Sequence, residues 1–149
     1  SFESAFIKCQ LASSNPLPKK GNLFVSVKNS DKPKILPIIR SFQKLGFKIK
    51  ATPGTALYLK EGGVKVTKIN KVSQGSPHIV EDLLNDQIDI LINTTEGRKS
   101  INDSFSVRRT ALMKSLPYFL TVSGARAAIN SIKELRNNEL QVNPITYYH

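Results

Sequence analysis

The sequence predicts an α/β fold, a three-layer α/β/α sandwich built around a five-stranded parallel sheet. Five short apolar runs recur at 23–27 (L-F-V-S-V), 47–51 (F-K-I-K-A), 64–69 (V-K-V-T-K-I), 88–92 (I-D-I-L-I) and 118–122 (Y-F-L-T-V). Stretches with helical spacing separate them, and strands alternating with helices pair in parallel through right-handed crossovers. The 149 residues, 40% of them apolar, fit one compact domain with its own core.

The elements follow in order. Residues 2–12 place Phe2, Phe6 and Cys9 or Gln10 near helical spacing, and Ser13, Ser14, Asn15, Pro16 and Pro18 close that helix with a linker. A short helix before a Pro/Ser-rich link reads as the tail of a preceding domain. Residues 1–19 are therefore assigned to that tail and linker, 20–138 to the domain and 139–149 to a C-terminal tail, and the chain is expected to be a piece of a longer one. The first helix of the domain puts Ile35, Ile38 or Ile39, Phe42 and Leu45 on one stripe and ends at Gly46, with Pro37 near its first turn. The second runs from about Thr55 to Lys60 and stops at Gly62 and Gly63. The third begins at Ser76 or Pro77 with Ile79, Val80, Leu83 and Leu84 inward. The fourth spans about 103–116 and the fifth about 123–137, and the last dozen residues lack a helical pattern. Strands 1, 4 and 5 are almost continuously apolar and are expected in the centre of the sheet, with the alternating strands 2 and 3 nearer an edge.

Composition excludes several classes. No apolar run approaches the roughly 20 residues of a membrane span, and no signal-peptide core opens the chain, so a cytoplasmic protein without membrane partners is expected. A single cysteine, Cys9, excludes an internal disulfide and a cysteine-based metal site. The net charge of +11 is confined to residues 1–71, which hold 14 Lys/Arg against 3 Asp/Glu, whereas residues 72–149 hold 8 against 8. That basic half has no Arg-rich helix and no alternation of basic and aromatic residues: its charge fits a phosphorylated small ligand as well as nucleic acid, and a solvated lysine-rich surface accounts for most of its lysines. With a nucleic-acid reading resting on charge alone, no nucleic-acid partner is expected.

Three spans can hold such a ligand. In S-V-K-N-S-D-K (26–32), Ser30 or Asp31 is a natural N-cap, while Lys32 opposes the helix dipole: either it is solvated or an anion sits before it. In A-T-P-G-T-A (51–56), Thr52 and Thr55 flank a glycine at a helix N-terminus, where hydroxyl and backbone N–H groups can converge on a phosphate; an N-capping Thr55 explains half of this equally well. Lys71, after strand 3, reaches the same crevice. In the third span, residues 89–110 (D-I-L-I-N-T-T-E-G-R-K-S-I-N-D-S-F-S-V-R-R-T), strand 4 ends in Asn93, Thr94 and Thr95. A basic turn (Gly97, Arg98, Lys99) follows, and then a helix opening at Asn102 or Asp103. Asn93 can read a sugar hydroxyl or a base edge and the threonines can donate to phosphate, or all three cap a turn. Arg108 and Arg109 lie deeper in that helix and face a neighbouring domain or an acidic surface.

The motif N-T-T-x-G-R-[RK]-x-I-x-D-S-x-x-[VI]-R-R, with the two loops above, resembles the C-terminal regulatory domain of the carbamoyl phosphate synthase large subunit, in the methylglyoxal-synthase-like superfamily. The resemblance covers residues 20–137. It implies the strand order 3-2-1-4-5, with the ligand at the switch between strands 1 and 4. It also implies that Lys32, Thr52, Thr55, Lys71, Asn93, Thr94 and Thr95 map onto a nucleotide-monophosphate site for UMP or IMP. The implied setting is the synthetase domains of the same large subunit, a small glutaminase subunit, and self-association as an open alternative. The parent enzyme makes carbamoyl phosphate for pyrimidine and arginine synthesis with ATP and Mg or Mn; this segment carries no cofactor, metal or catalytic residue of its own. The enteric form has two threonines near the end of strand 5, one of which helps contact ornithine. Leu120 and Thr121 stand there in this chain, leaving Thr121, with Asp103, Arg108 and Arg109, as interdomain or ornithine-side candidates.

A methylglyoxal synthase is the competing enzyme reading, and it needs carboxylates after strands 3 and 4 to move a proton beside a carbonyl. Here those places read K-V-S-Q-G-S-P-H and Asn93-Thr94-Thr95. Glu81 falls inside a helix, and His78 reads as a helix-start residue.

Overall fold

The computed structural model describes residues 17–95 and 97–146, with side chains described for 17–95 and 104–138. The expected helix at 2–12, Cys9, the Asp103 side chain and residues 147–149 lie outside the described residues. The sheet has five strands in the order β3-β2-β1-β4-β5, all parallel: β1 (Asn22–Ser26), β2 (Lys48–Ala51), β3 (Val66–Lys68), β4 (Ile90–Asn93) and β5 (Tyr118–Phe119). The helices are α1 (Lys32–Lys44), α2 (Pro53–Glu61), α3 (Ile79–Leu84), α4 (Gly97–Met113) and α5 (Val122–Thr146), with 3-10 turns at Asn29–Asp31 and Val72–Gln74.

Side-chain alternation along the strands builds the three layers. Leu23 and Val25 of β1 and Ile90 and Ile92 of β4 face one core with Ile35, Ile39 and Phe42 of α1, Leu59 of α2, and Ala128, Ile129 and Ile132 of α5. Phe24 and Leu91, between them in sequence, face the other core with Ile79 and Leu83 of α3 and Val107 and Ala111 of α4. Burial on both faces explains the unbroken apolar runs of β1 and β4.

The expected central place of strand 5 is corrected. β5 is an edge strand of two residues: Phe119 is buried, Leu120 is 48% exposed, and Val122 already belongs to α5. Its apolarity serves the packing of Phe119 beneath α5 rather than burial between two layers. The fourth helix also starts earlier than expected, so Gly97, Arg98 and Lys99 form its first turn; residues 98–101 have ordinary helix propensity and need no cap at Asn102. α3 is shorter, opening after His78 rather than at Ser76 or Pro77, and Leu84, expected inward, is its exposed last residue. α5 runs on through the expected tail to Thr146. The periodicity marked only its buried stripe, which ends near Ile132, while Glu139, Leu140 and Gln141 are good helix formers that continue it on propensity. Pro37 is the sixth residue of α1, whose helix continues through it, and Leu45 is only half-buried.

Gly21, entering β1, has φ +132°, and a Cβ there would overlap the carboxylate of Asp89. That carboxylate accepts the Asn22 N–H at 2.7 Å, fixing the lower ends of β1 and β4 together. Gly21→Ala is expected to cost about 1–3 kcal/mol through backbone strain and displacement of Asp89, read as a lower urea midpoint with an unchanged slope.

Candidate functional site

The loops after β1, β2, β3 and β4 open at one end of the sheet and enclose a crevice of about 370 Å³. In an open parallel sheet the switch point is such a place, because the crossovers leave β1 and β4 to opposite faces and part above them. The register sets Ser26 beside Asn93, so the β1 and β4 ends are level. All seven predicted effector residues, Lys32, Thr52, Thr55, Lys71, Asn93, Thr94 and Thr95, line the crevice.

The threonines also brace its walls. Thr55 Oγ1 accepts the Val27 N–H at 3.1 Å, and Thr94 Oγ1 accepts the Lys28 N–H at 3.0 Å, so the chain leaving β1 is held from both flanks. The Thr55 hydroxyl donates in turn to the Val27 carbonyl at 3.5 Å, while a hydroxyl that accepts, like that of Thr94, retains a proton of its own. Thr52 Oγ1 donates to Ser26 Oγ at 2.9 Å. Thr52 holds the N-cap position of α2 without a side-chain capping bond, and Asp31 likewise at α1, so both helix N-termini keep backbone N–H groups free of a side-chain cap. Thr55, weighed above as a cap, is instead inside α2 and directed at β1.

The cations converge. The Lys32 ammonium donates to Asn29 Oδ1 at 2.6 Å and lies 3.3 Å from where a Cβ on Gly54 would stand, so it sits over the start of α2. Lys28, Lys32 and Lys71 line the crevice, and among the described residues no carboxylate does. Such a surface favours an anion. Glu81 is engaged elsewhere: it forms a reciprocal cap with His78 (2.9 Å to the His78 N–H) and accepts from Ser76 at 3.0 Å. The Ser76 bond, then the His78 backbone bond, hold its carboxyl below the usual range.

Asn93 is buried, and its amide donates to Ser104 Oγ at 3.0 Å and to the Tyr118 hydroxyl at 2.7 Å. Burial pushes the Tyr118 phenol up, partly offset by the Asn93 bond and by Arg108. Lys28, Asn29, Ser104 and Tyr118 escaped the residue-by-residue reading, although Lys28 follows strand 1 directly and Ser104 lies within the D-S of the long motif. Of the remaining candidates, Arg108, Arg109 and Thr121 do not line the crevice, and the Asp103 side chain lies outside the described residues. Arg108 and Arg109 are exposed on α4, and Thr121 caps α5, accepting the Gly124 N–H at 3.0 Å.

Residues 34–120 match the profile of a family described as MGS-like domain. The chain belongs to the MGS-like domain family. Among curated proteins this MGS-like domain is 47% identical over 147 residues to the carbamoyl phosphate synthase large chain of Rhizobium meliloti and 50% identical over 141 residues to that of Methanobrevibacter smithii. These matches cover 99% and 95% of this chain but only 13% of each relative. It is also 42% identical over 135 residues to the carbamoyl phosphate synthase large chain, C-terminal section, of Aquifex aeolicus, covering 91% of this chain and 25% of that one. Two solved structures share the fold at 16% identity: a methylglyoxal synthase from Elizabethkingia anophelis (TM-score 0.58, covering 76% of this chain and 79% of that one) and ForH (0.57, 78% and 79%). Among the described residues no helix is long and apolar enough to cross a membrane, and no cluster of His, Cys, Asp or Glu suits a metal.

Proposed function

We propose that this MGS-like domain is the regulatory domain of a carbamoyl phosphate synthase large chain and that its crevice binds a nucleoside monophosphate, UMP or IMP. The observation that supports this is the crevice itself: three lysines, four threonines and two helix N-termini meet there, with no carboxylate among the described lining residues. Phosphate takes the place between Lys32, Lys71 and the start of α2, and the nucleoside extends toward Asn93. Carbamoyl phosphate synthesis from bicarbonate, ATP and glutamine-derived ammonia belongs to the rest of the large chain with its glutaminase subunit. Effector binding here biases that chemistry through contacts between domains, and by linkage the synthetase domains change effector affinity by the same factor. The outer face of α4, with Phe105, Arg108, Arg109, Leu112 and Met113 exposed, is the surface assigned to such a contact.

A calorimetric titration with UMP and IMP tests this, run beside a methylglyoxal assay on dihydroxyacetone phosphate and an oligonucleotide titration over a salt series. Saturable one-site nucleotide binding without turnover is expected. Methylglyoxal production that is lost on mutating the crevice, or binding confined to the oligonucleotide and steeply salt-dependent, would replace the proposal with an enzyme or a nucleic-acid-binding module.

A further inference from the structure

Asn93 is held by two residues from different elements, Ser104 on α4 and Tyr118 on the edge strand β5. An amide NH2 has two protons to donate, and both are directed at these hydroxyls. The carbonyl oxygen is the remaining polar atom of this side chain, on a residue that lines the crevice. An oxygen of this kind accepts and cannot donate. Asn93 ends β4, level with Ser26 of the adjoining strand, while Lys32 stands over the start of α2, which follows β2 on the other side of β1. Neighbouring strands lie about 4.8 Å apart, so a ligand with its phosphate at Lys32 presents to Asn93 the group next to the phosphate, which in a nucleotide is the sugar.

We propose that Tyr118 and Ser104 are positioning residues that lock the Asn93 carboxamide with its oxygen toward the ligand, so that the site selects a phosphorylated compound carrying a hydroxyl donor on its sugar. This rests on the nucleotide reading above and deepens it. A phosphate without that donor leaves the oxygen facing water and gains only the lysine contacts. The Tyr118 phenol, raised by burial, stays neutral at physiological pH and keeps the network in one state.

The test compares Tyr118→Phe and Ser104→Ala with the unaltered chain, titrating each with UMP, 2′,3′-dideoxy-UMP and inorganic phosphate, and following the Asn93 side-chain NH2 signals by 15N NMR without ligand. Tyr118→Phe removes one oxygen and keeps the ring, and Ser104→Ala probes the same lock should the first variant fold poorly. Expected are a roughly five- to tenfold weaker UMP affinity in Tyr118→Phe, unchanged phosphate affinity, and displaced Asn93 NH2 signals. Dideoxy-UMP should bind the unaltered chain weakly and lose nothing further in the variant, as a double-mutant cycle requires. Equal losses for UMP and phosphate would show a merely structural role and overturn the proposal. So would dideoxy-UMP binding as tightly as UMP. Should the unaltered chain bind phosphate but no nucleotide, the nucleotide reading itself falls. The NMR signals then decide the lock: unmoved Asn93 signals in both variants overturn it, and displaced ones uphold it.

Discussion

Phe42→Ala is expected to destabilise the domain by about 3–5 kcal/mol, a large part of the roughly 5–15 kcal/mol that holds a domain of this kind together. Phe42 is fully buried on α1, in the core between that helix and the sheet. Its ring meets Phe47 edge-on, with centroids 5.1 Å apart and planes at 90°. Truncation forfeits the transfer of the ring from water, the edge-to-face contact and the packing of neighbours that cannot collapse into the hole. Urea unfolding should show the midpoint falling sharply. Leu57→Ala, on the exposed side of α2, should stay within about 0.5 kcal/mol. A Phe42→Ala loss no larger than that of Leu57→Ala would mean that α1 does not cover the sheet as described.

The same burial logic explains which parts of the fold were legible in the sequence. α1 announced itself because Ile35, Ile38, Ile39 and Phe42 repeat with the helix period and Gly46 closes the turn with φ +99°. β1 and β4 were legible as continuous apolar runs. Where apolarity and position part company, the reading went astray: the run at 118–122 is apolar enough for a central strand, yet it is divided between an edge strand and the first turn of α5. Apolarity reports that a residue is covered, and Phe119 is covered by α5 rather than enclosed by strands on both sides. Helix ends fared similarly, since propensity carries α4 back to Gly97 and α5 on to Thr146 where no buried stripe marks them.

The crevice was legible to the extent that its residues are local. Lys32, Thr52, Thr55 and the run Asn93-Thr94-Thr95 each follow a strand end, and in a parallel sheet those ends meet by topology. What the sequence hid was pairing across elements. Thr94 holding the Lys28 N–H and Tyr118 holding Asn93 join residues 66 and 25 positions apart, and no spacing rule reaches that far. The threonines, read as phosphate donors, turn out also to fix the shape of the loop that carries Lys28.

Lys71→Ala and Lys32→Ala should each weaken UMP binding by roughly 1.5–3 kcal/mol, about one to two decades in dissociation constant. Both lysines line the crevice, and the Lys32 ammonium already stands over Gly54 at the N-terminus of α2, where an anion gains from charge and backbone N–H groups together. Thr55→Ala should weaken UMP binding less, by about 1 kcal/mol, because a neutral hydroxyl is lost while the backbone N–H groups remain. It should also lower stability, because the buried Thr55 Oγ1 is the acceptor for the Val27 N–H. Lys48→Ala is the control: it removes the same charge from the basic half, but Lys48 is exposed at the start of β2 and takes no part in the crevice. If UMP titrations show equal losses at Lys48 and Lys71, the basic half attracts anions diffusely and the crevice is not a specific site. A loss confined to Lys32, Lys71 and, more weakly, Thr55 is the expected result, with added salt reducing but not abolishing the difference.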